Sequence, residues 1–134
     1  IEGELLPRWI ASFKGRGSKK RIRSVFREIL EQCLKLDEAG LDHGELSRAP
    51  KHIIIDADDK AHIVDFETAS LMRRTSNVTS VCQFLFLGSQ TARAIRRKLS
   101  GIDSDALITT LRDYKLNFAK ESFFRILQVC MLTQ

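Results

Sequence analysis

Two short acidic turns hold the residues of this sequence best equipped for chemistry: His43-Gly44-Glu45 and, about twenty residues on, Asp65-Phe66-Glu67. A carboxylate can take a proton from a hydroxyl or hold a hard cation, and an imidazole can brace a turn or carry a proton. Arg48, Lys51 and His52 lie between the turns; cations there are solvated loop charges by default and phosphate-steadying groups in a site. Taken singly, each residue has a plainer reading. Asp65 closes a turn, His43 is a hydrogen-bonded structural histidine, and Glu45 is a surface acid. The Asp56, Asp58 and Asp59 run lacks the Gly and the distal Glu of a calcium-binding hand and reads as a turn. Cys33, Cys82 and Cys130 are odd in number, far apart and set in apolar stretches, which suits buried thiols better than disulfides or a zinc site.

The elements that must position these groups follow from periodicity. From Ser18 onward Ile22, Val25, Phe26, Ile29, Leu30, Cys33 and Leu34 recur at three- and four-residue steps, predicting a long amphipathic helix that Gly40 stops. Arg27 and Glu31 stand one turn apart on its polar side and can pair. Next, Ile53-Ile54-Ile55 and Ile63-Val64 form two β-branched runs around Asp56-Ala57-Asp58-Asp59-Lys60, the pattern of a hairpin and the one convincing piece of β-structure. His62 is expected to face solvent. Beyond it, Asn77 or Thr79 is placed to cap a helix ending at Gly88, a basic helix runs from about Thr91 to Leu99, and Asp103 or Ser104 opens another. A last helix carries Phe123, Phe124, Ile126, Leu127 and Cys130 as core.

A long helix, a His-Gly-Glu turn, a hairpin and an Asp-Phe turn, in that order, resemble the C-terminal lobe of the protein-kinase-like superfamily. The likeness is nearest to branches that write the catalytic turn His-Gly-Asp, such as RIO-like kinases, aminoglycoside phosphotransferases and the archaeal predicted serine/threonine kinases. It covers about Ser18 to Phe66. The expected fold is therefore mainly α with one small β-hairpin, a kinase-like C-terminal lobe over residues 18–134 without its N-terminal lobe, with 1–17 as the end of the hinge and a linker. The function implied is ATP- and Mg2+-dependent phosphotransfer to a hydroxyl on protein or a small molecule, chemistry that asks mainly for positioning and charge compensation. In that frame His43 braces the catalytic turn, Glu45 is the base, and Arg48 or Lys51 steadies the transferred phosphate. Asp65 holds the metal, and Ile54 floors the adenine pocket. At the N-terminus Ile1 offers backbone groups to adenine and Glu4 reaches the ribose.

The sequence departs from that pattern. Glu45 replaces an Asp, and the loop from Glu45 to His52 is longer than the family's. His52 or Lys51 stands where a metal-binding Asn is usual, and Glu67 replaces a Gly. An imidazole is a poor substitute for an oxygen ligand of Mg2+. There is also no glycine-rich phosphate loop and no strand lysine, parts that belong to an N-terminal lobe. The 134 residues suffice for one domain, and 43% hydrophobic with 29% charged residues is ordinary globular usage. No apolar run is long enough to span a bilayer and no signal-peptide layout opens the chain, so a cytoplasmic protein without membrane contact is expected. A net charge of +5, drawn largely from Lys14 to Arg23 and from Arg93, Arg96, Arg97 and Lys98, suits polyanionic partners, but no aromatics interleave for base stacking. A scaffold that keeps the lobe as a binding surface and a basic helical nucleic-acid-binding module are the alternatives.

Overall fold

The computed structural model describes residues 2–13, 18–48 and 51–133. Ile1 and the Lys14 to Gly17 part of the basic cluster lie outside the described residues. The chain is mainly helical. In order it forms strand β1 (Glu4–Leu5), helices α1 (Leu6–Ala11) and α2 (Ser18–Ala39), a 3-10 turn (Leu46–Arg48), strands β2 (Ile53–Ile55) and β3 (Ala61–Ile63), and helix α3 (Asn77–Cys82). Helix α3 runs on as a π turn (Gln83–Leu87), and α4 (Gln90–Lys98), α5 (Ser104–Asn117) and α6 (Lys120–Val129) follow.

The apolar stripe of α2 is fully buried at Ile22, Val25, Phe26, Ile29, Leu30 and Cys33, and the same stripe continues into a buried acid, Asp37. The helix stops as expected. Gly40 takes φ +77°, its N–H reaches the Asp37 carbonyl at 3.1 Å, and the Leu41 N–H reaches Leu36 at 3.1 Å, a paired closure that satisfies the last carbonyls. Leu6, Trp9, Ile10 and Phe13 join this core. Of the stretch expected as hinge and linker, residues 6–13 thus contribute to the packing.

The sheet has one strand more than the sequence suggested. β2 and β3 pair antiparallel with Ile54 opposite His62, and β1 adds to the free side of β2 with Leu5 opposite Ile54 and Glu4 opposite Ile55. Two residues with no β-branching give β1 no sequence signature; it forms because β2 offers unpaired backbone groups. The outer edge of β3 is closed by α2. The Ala61 N–H donates to Glu28 Oε1 at 2.6 Å, and the Ala61 carbonyl accepts from Gln32 Nε2 at 2.9 Å. One helical turn on the polar face of α2 therefore imitates a neighbouring strand and blunts the edge.

Several local expectations need revision. Ser76, not Asn77 or Thr79, precedes α3, and the helix N–H groups are satisfied by distant carboxylates: Asp42 takes Ser76, and Asp37 takes Asn77 and Val78. His62 is half-buried and bonded to Asp56 Oδ2 at 2.8 Å. Phe124 points outward, about half exposed, while Phe123 is core. The three cysteines are buried free thiols, as expected. The aspartate-rich loop is a turn, in which Asp56 Oδ1 accepts from the Asp58 and Lys60 N–H groups, and Asp59 forms a two-point pair with Arg21 of α2. Asp59 is thus held by Arg21, and Asp56 by His62 and the turn amides. The Asp59 carboxyl lies below its usual range because of Arg21, and Asp56 because of His62.

Candidate functional site

The site is built where α2 ends. Asp42 pairs backbone to backbone with Ser70 at 3.0 and 2.9 Å, so the chain leaving α2 is stitched to the chain leaving the hairpin. Its buried carboxylate accepts from Arg73 Nε at 3.0 Å and from the Ser76 N–H at 3.0 Å. His43 follows, fully buried. Its N–H donates to Asn77 Oδ1 at 2.8 Å, its Nε2 faces the Val64 carbonyl at 2.9 Å, and its Nδ1 faces the Glu45 N–H at 3.3 Å. These partners assign the neutral Nε2–H tautomer, with a lone pair on Nδ1 for Glu45. With both ring nitrogens engaged by backbone, His43 braces the two turns against each other and has no free nitrogen for proton transfer.

Asn77 is in turn held by Asp37. The Asn77 Nδ2 donates to Asp37 Oδ1 at 2.9 Å and to the Leu41 carbonyl at 2.7 Å, and Asp37 Oδ2 accepts from the Tyr114 hydroxyl at 2.6 Å. A buried carboxylate is tolerable only when so furnished with donors. Burial, and then Asp37 itself, push the Tyr114 phenol well above its ordinary 10.0. Sequence reasoning missed Asp37, Asp42, Asn77 and Arg73 as supports. One signal was present: Asp37 falls one turn beyond Cys33 on the apolar stripe, where an acid needs partners.

On this frame Glu45, His52 and Asp65 converge. His52 Nε2 lies 3.5 Å from Glu45 Oε2 and 3.4 Å from Asp65 Oδ2, and the three ligand-type atoms are all within 4.8 Å of one another. Both carboxylates are partly open to solvent, while His52 is 9% exposed. The rings of His43 and His52 meet edge to face at 5.3 Å, and Phe66 packs on His43 at 4.8 Å. Asp65 adopts φ +63°, a left-handed backbone that Asp tolerates better than most residues and that turns its side chain off the line of β3.

The remaining sequence-selected residues fall in different places. Arg48 ends the 3-10 turn and lines an open cleft of about 420 Å³ with Gly44, Glu45, Ser47, Thr68 and Arg73. Lys51 is exposed in the turn before β2, with no ion pair among the described residues. Ile54, half-buried, shares the outer face of the sheet with Leu5 and His62. Glu4 sits at the far end of β2 on a larger cleft of about 750 Å³ with Trp9, Phe13, Arg21 and Ile55. Glu4 and Asp65 thus mark opposite ends of one three-residue strand, about 10 Å of extended chain. Much of the described positive charge has internal work. Arg21 binds Asp59, Arg96 donates to the Phe86 carbonyl at 2.7 and 3.0 Å, and Lys98 donates to the Phe13 carbonyl at 2.8 Å. No helix among the described residues is long and apolar enough to cross a membrane.

No family model matches the chain. It is 33% identical over 103 residues to the uncharacterized protein MJ1211 of Methanocaldococcus jannaschii, a match that covers 76% of this chain and 84% of that protein. At that identity over most of both lengths, the chain belongs to the family of this archaeal protein.

Proposed function

We propose that the protein is a phosphotransferase that moves the γ-phosphoryl group of ATP to a hydroxyl on a protein or small molecule, with Glu45 and Asp65 as its working carboxylates. The observation that supports this reading is convergence: two acids 20 residues apart in sequence meet around one imidazole, each partly open to solvent, on a frame in which Asn77 ties His43 to Asp37 and Asp42 accepts from Arg73 and Ser76. Phosphoryl transfer asks the protein for this kind of rigid placement. Glu45 takes the proton of the attacking hydroxyl, which enters through the cleft that Ser47, Arg48, Thr68 and Arg73 line. Among the described residues lining that cleft, Arg48 is the cation without a carboxylate partner to meet the acceptor, since Arg73 is engaged by Asp42. Ile54 with Leu5 offers an apolar face for a base, while Glu4 lies with Ile55 on the opposite face of the sheet. Mg2+ does not fit the donor set, because the nitrogen of His52 occupies the place of a third oxygen.

The test is ATP turnover by the protein at its full natural length, with Glu45→Gln and Asp65→Ala as variants. Loss of at least two orders of magnitude in either variant is expected of a base or a charge-holding group. Unchanged turnover in Asp65→Ala rejects the assignment. The presence of His52 between the carboxylates favours one second reading, a nucleotide-binding scaffold without transfer. That protein is stabilised by ATP in thermal unfolding and turns none over.

A further inference from the structure

His52 is the odd member of the cluster. It is nine-tenths buried, its Nδ1 is buried without a partner, and its Nε2 is aimed between Glu45 Oε2 and Asp65 Oδ2. At 3.5 and 3.4 Å these separations exceed a normal N–H···O bond, which clusters near 2.9 to 3.0 Å. They do match something else. Two ligands at about 2.1 Å from a tetrahedral ion are about 3.4 Å apart, the edge of the tetrahedron. A buried imidazole at that spacing from each of two carboxylates, with all three ligand atoms within 4.8 Å of one another and solvent on one side, has the form of a three-ligand site with an open fourth position.

We infer that Glu45, His52 and Asp65 bind a divalent first-row transition ion of the Zn2+ class in preference to Mg2+. The donor set decides the class. An imidazole nitrogen favours borderline ions, whereas Mg2+ wants oxygen and near-octahedral geometry. The frame is suited to hold the ligands still. His43 packs on the His52 ring and holds the Glu45 backbone through Nδ1, and the left-handed turn at Asp65 fixes the third ligand. Glu45 binds through Oε2, its atom nearest His52. The inference rests on the phosphotransfer reading only for the use to which the ion is put; the site itself stands on the three side chains.

Metal binding is measured on the metal-stripped chain without nucleotide, using Co2+ as the probe because tetrahedral cobalt absorbs visible light strongly and octahedral cobalt weakly. One Co2+ per chain, with an intense tetrahedral spectrum, displaced by Zn2+ and not by a large excess of Mg2+, is expected. Glu45 is half-exposed and outside the core, so Glu45→Gln leaves the fold intact and should weaken Co2+ binding by more than the 10–100-fold typical of losing an outer-shell partner. His52→Asn, which replaces nitrogen by oxygen, should weaken Co2+ by a similar factor and shift preference toward Mg2+. Equal Co2+ affinity in parent and variants, a weak octahedral spectrum, or no binding overturns the site. Should Co2+ fail to bind while the full-length protein turns over ATP with Mg2+, this inference falls and phosphotransfer stands. Should Co2+ bind as described with no turnover, the reverse holds.

Discussion

Gly44 shows how tightly single residues define the site. It sits at φ +97°, and a Cβ there would lie 2.6 Å from Arg73 Nη2, 3.0 Å from Thr68 Oγ1 and 3.1 Å from the Thr68 carbonyl. Gly44→Ala therefore combines backbone strain with a clash and should lower stability by about 1–3 kcal/mol, read as a shift in denaturant midpoint. A midpoint unmoved by the change would mean the His43 turn is far more pliable than its bonds suggest. Tyr114 offers a second residue-scale test. It is the chain's only tyrosine and its hydroxyl donates to buried Asp37. Tyr114→Phe should cost about 1–3 kcal/mol, because the carboxylate loses a donor it cannot replace with water. The sign with pH is also set. Burial and Asp37 raise the folded phenol above 10.0, so its contribution is present below that pH and is lost as pH rises beyond it, when only the unfolded chain can ionise. The parent's stability should fall more steeply above pH 10 than that of Tyr114→Phe, measured as unfolding free energy against pH.

At the scale of elements, the hairpin is a dependent structure. Strands of three residues are too short to stand alone, and this pair is held by β1 on one edge and by Glu28 and Gln32 of α2 on the other. Glu28→Ala should release the Ala61 N–H, cost about 1.5–3 kcal/mol and speed its hydrogen exchange more than that of neighbouring amides. Exchange at Ala61 no faster than in the parent would show that the edge is held some other way. The π turn after α3 is managed similarly. Its wide Gly88-to-Gln83 bond leaves carbonyls that Ser89 and Arg96 accept the task of satisfying, at Phe84 and Phe86 respectively. The hairpin and the end of α2 were readable from β-branched runs, aspartates and Gly40, because those signals are local. β1, the polar clamp of α2 and the π turn were not, since each exists only against a partner distant in sequence.

At the scale of the whole molecule, one core joins α1, α2, the sheet, α3, α5 and α6, and all three thiols lie within it. Burial, with Asp37 nearby, raises the Cys33 thiol well above its ordinary 9.0; Cys82 is raised by a hydrogen bond between its thiol and that of Cys130 and by burial. Raised thiols stabilise the fold below about pH 9 and cease to do so above it, as the unfolded chain ionises first. The native protein should therefore resist a thiol-specific reagent at neutral pH and react at all three cysteines together once unfolded. Fast reaction of Cys33 or Cys82 in the native state would contradict the burial described.

By itself, the sequence determined the long helix and its stop, the hairpin, the buried thiols and the two acidic turns, because helical and strand periods, glycine at positive φ and aspartate turn chemistry act over a few residues. Only the tertiary structure decided that Asn77 and Asp37 hold His43, that Ala61 is clamped by α2, and that His52, rather than Lys51, faces Glu45 and Asp65. Those outcomes depend on which buried polar group finds which partner, and such pairings are settled by packing across as many as 40 residues of chain, where no local pattern reaches.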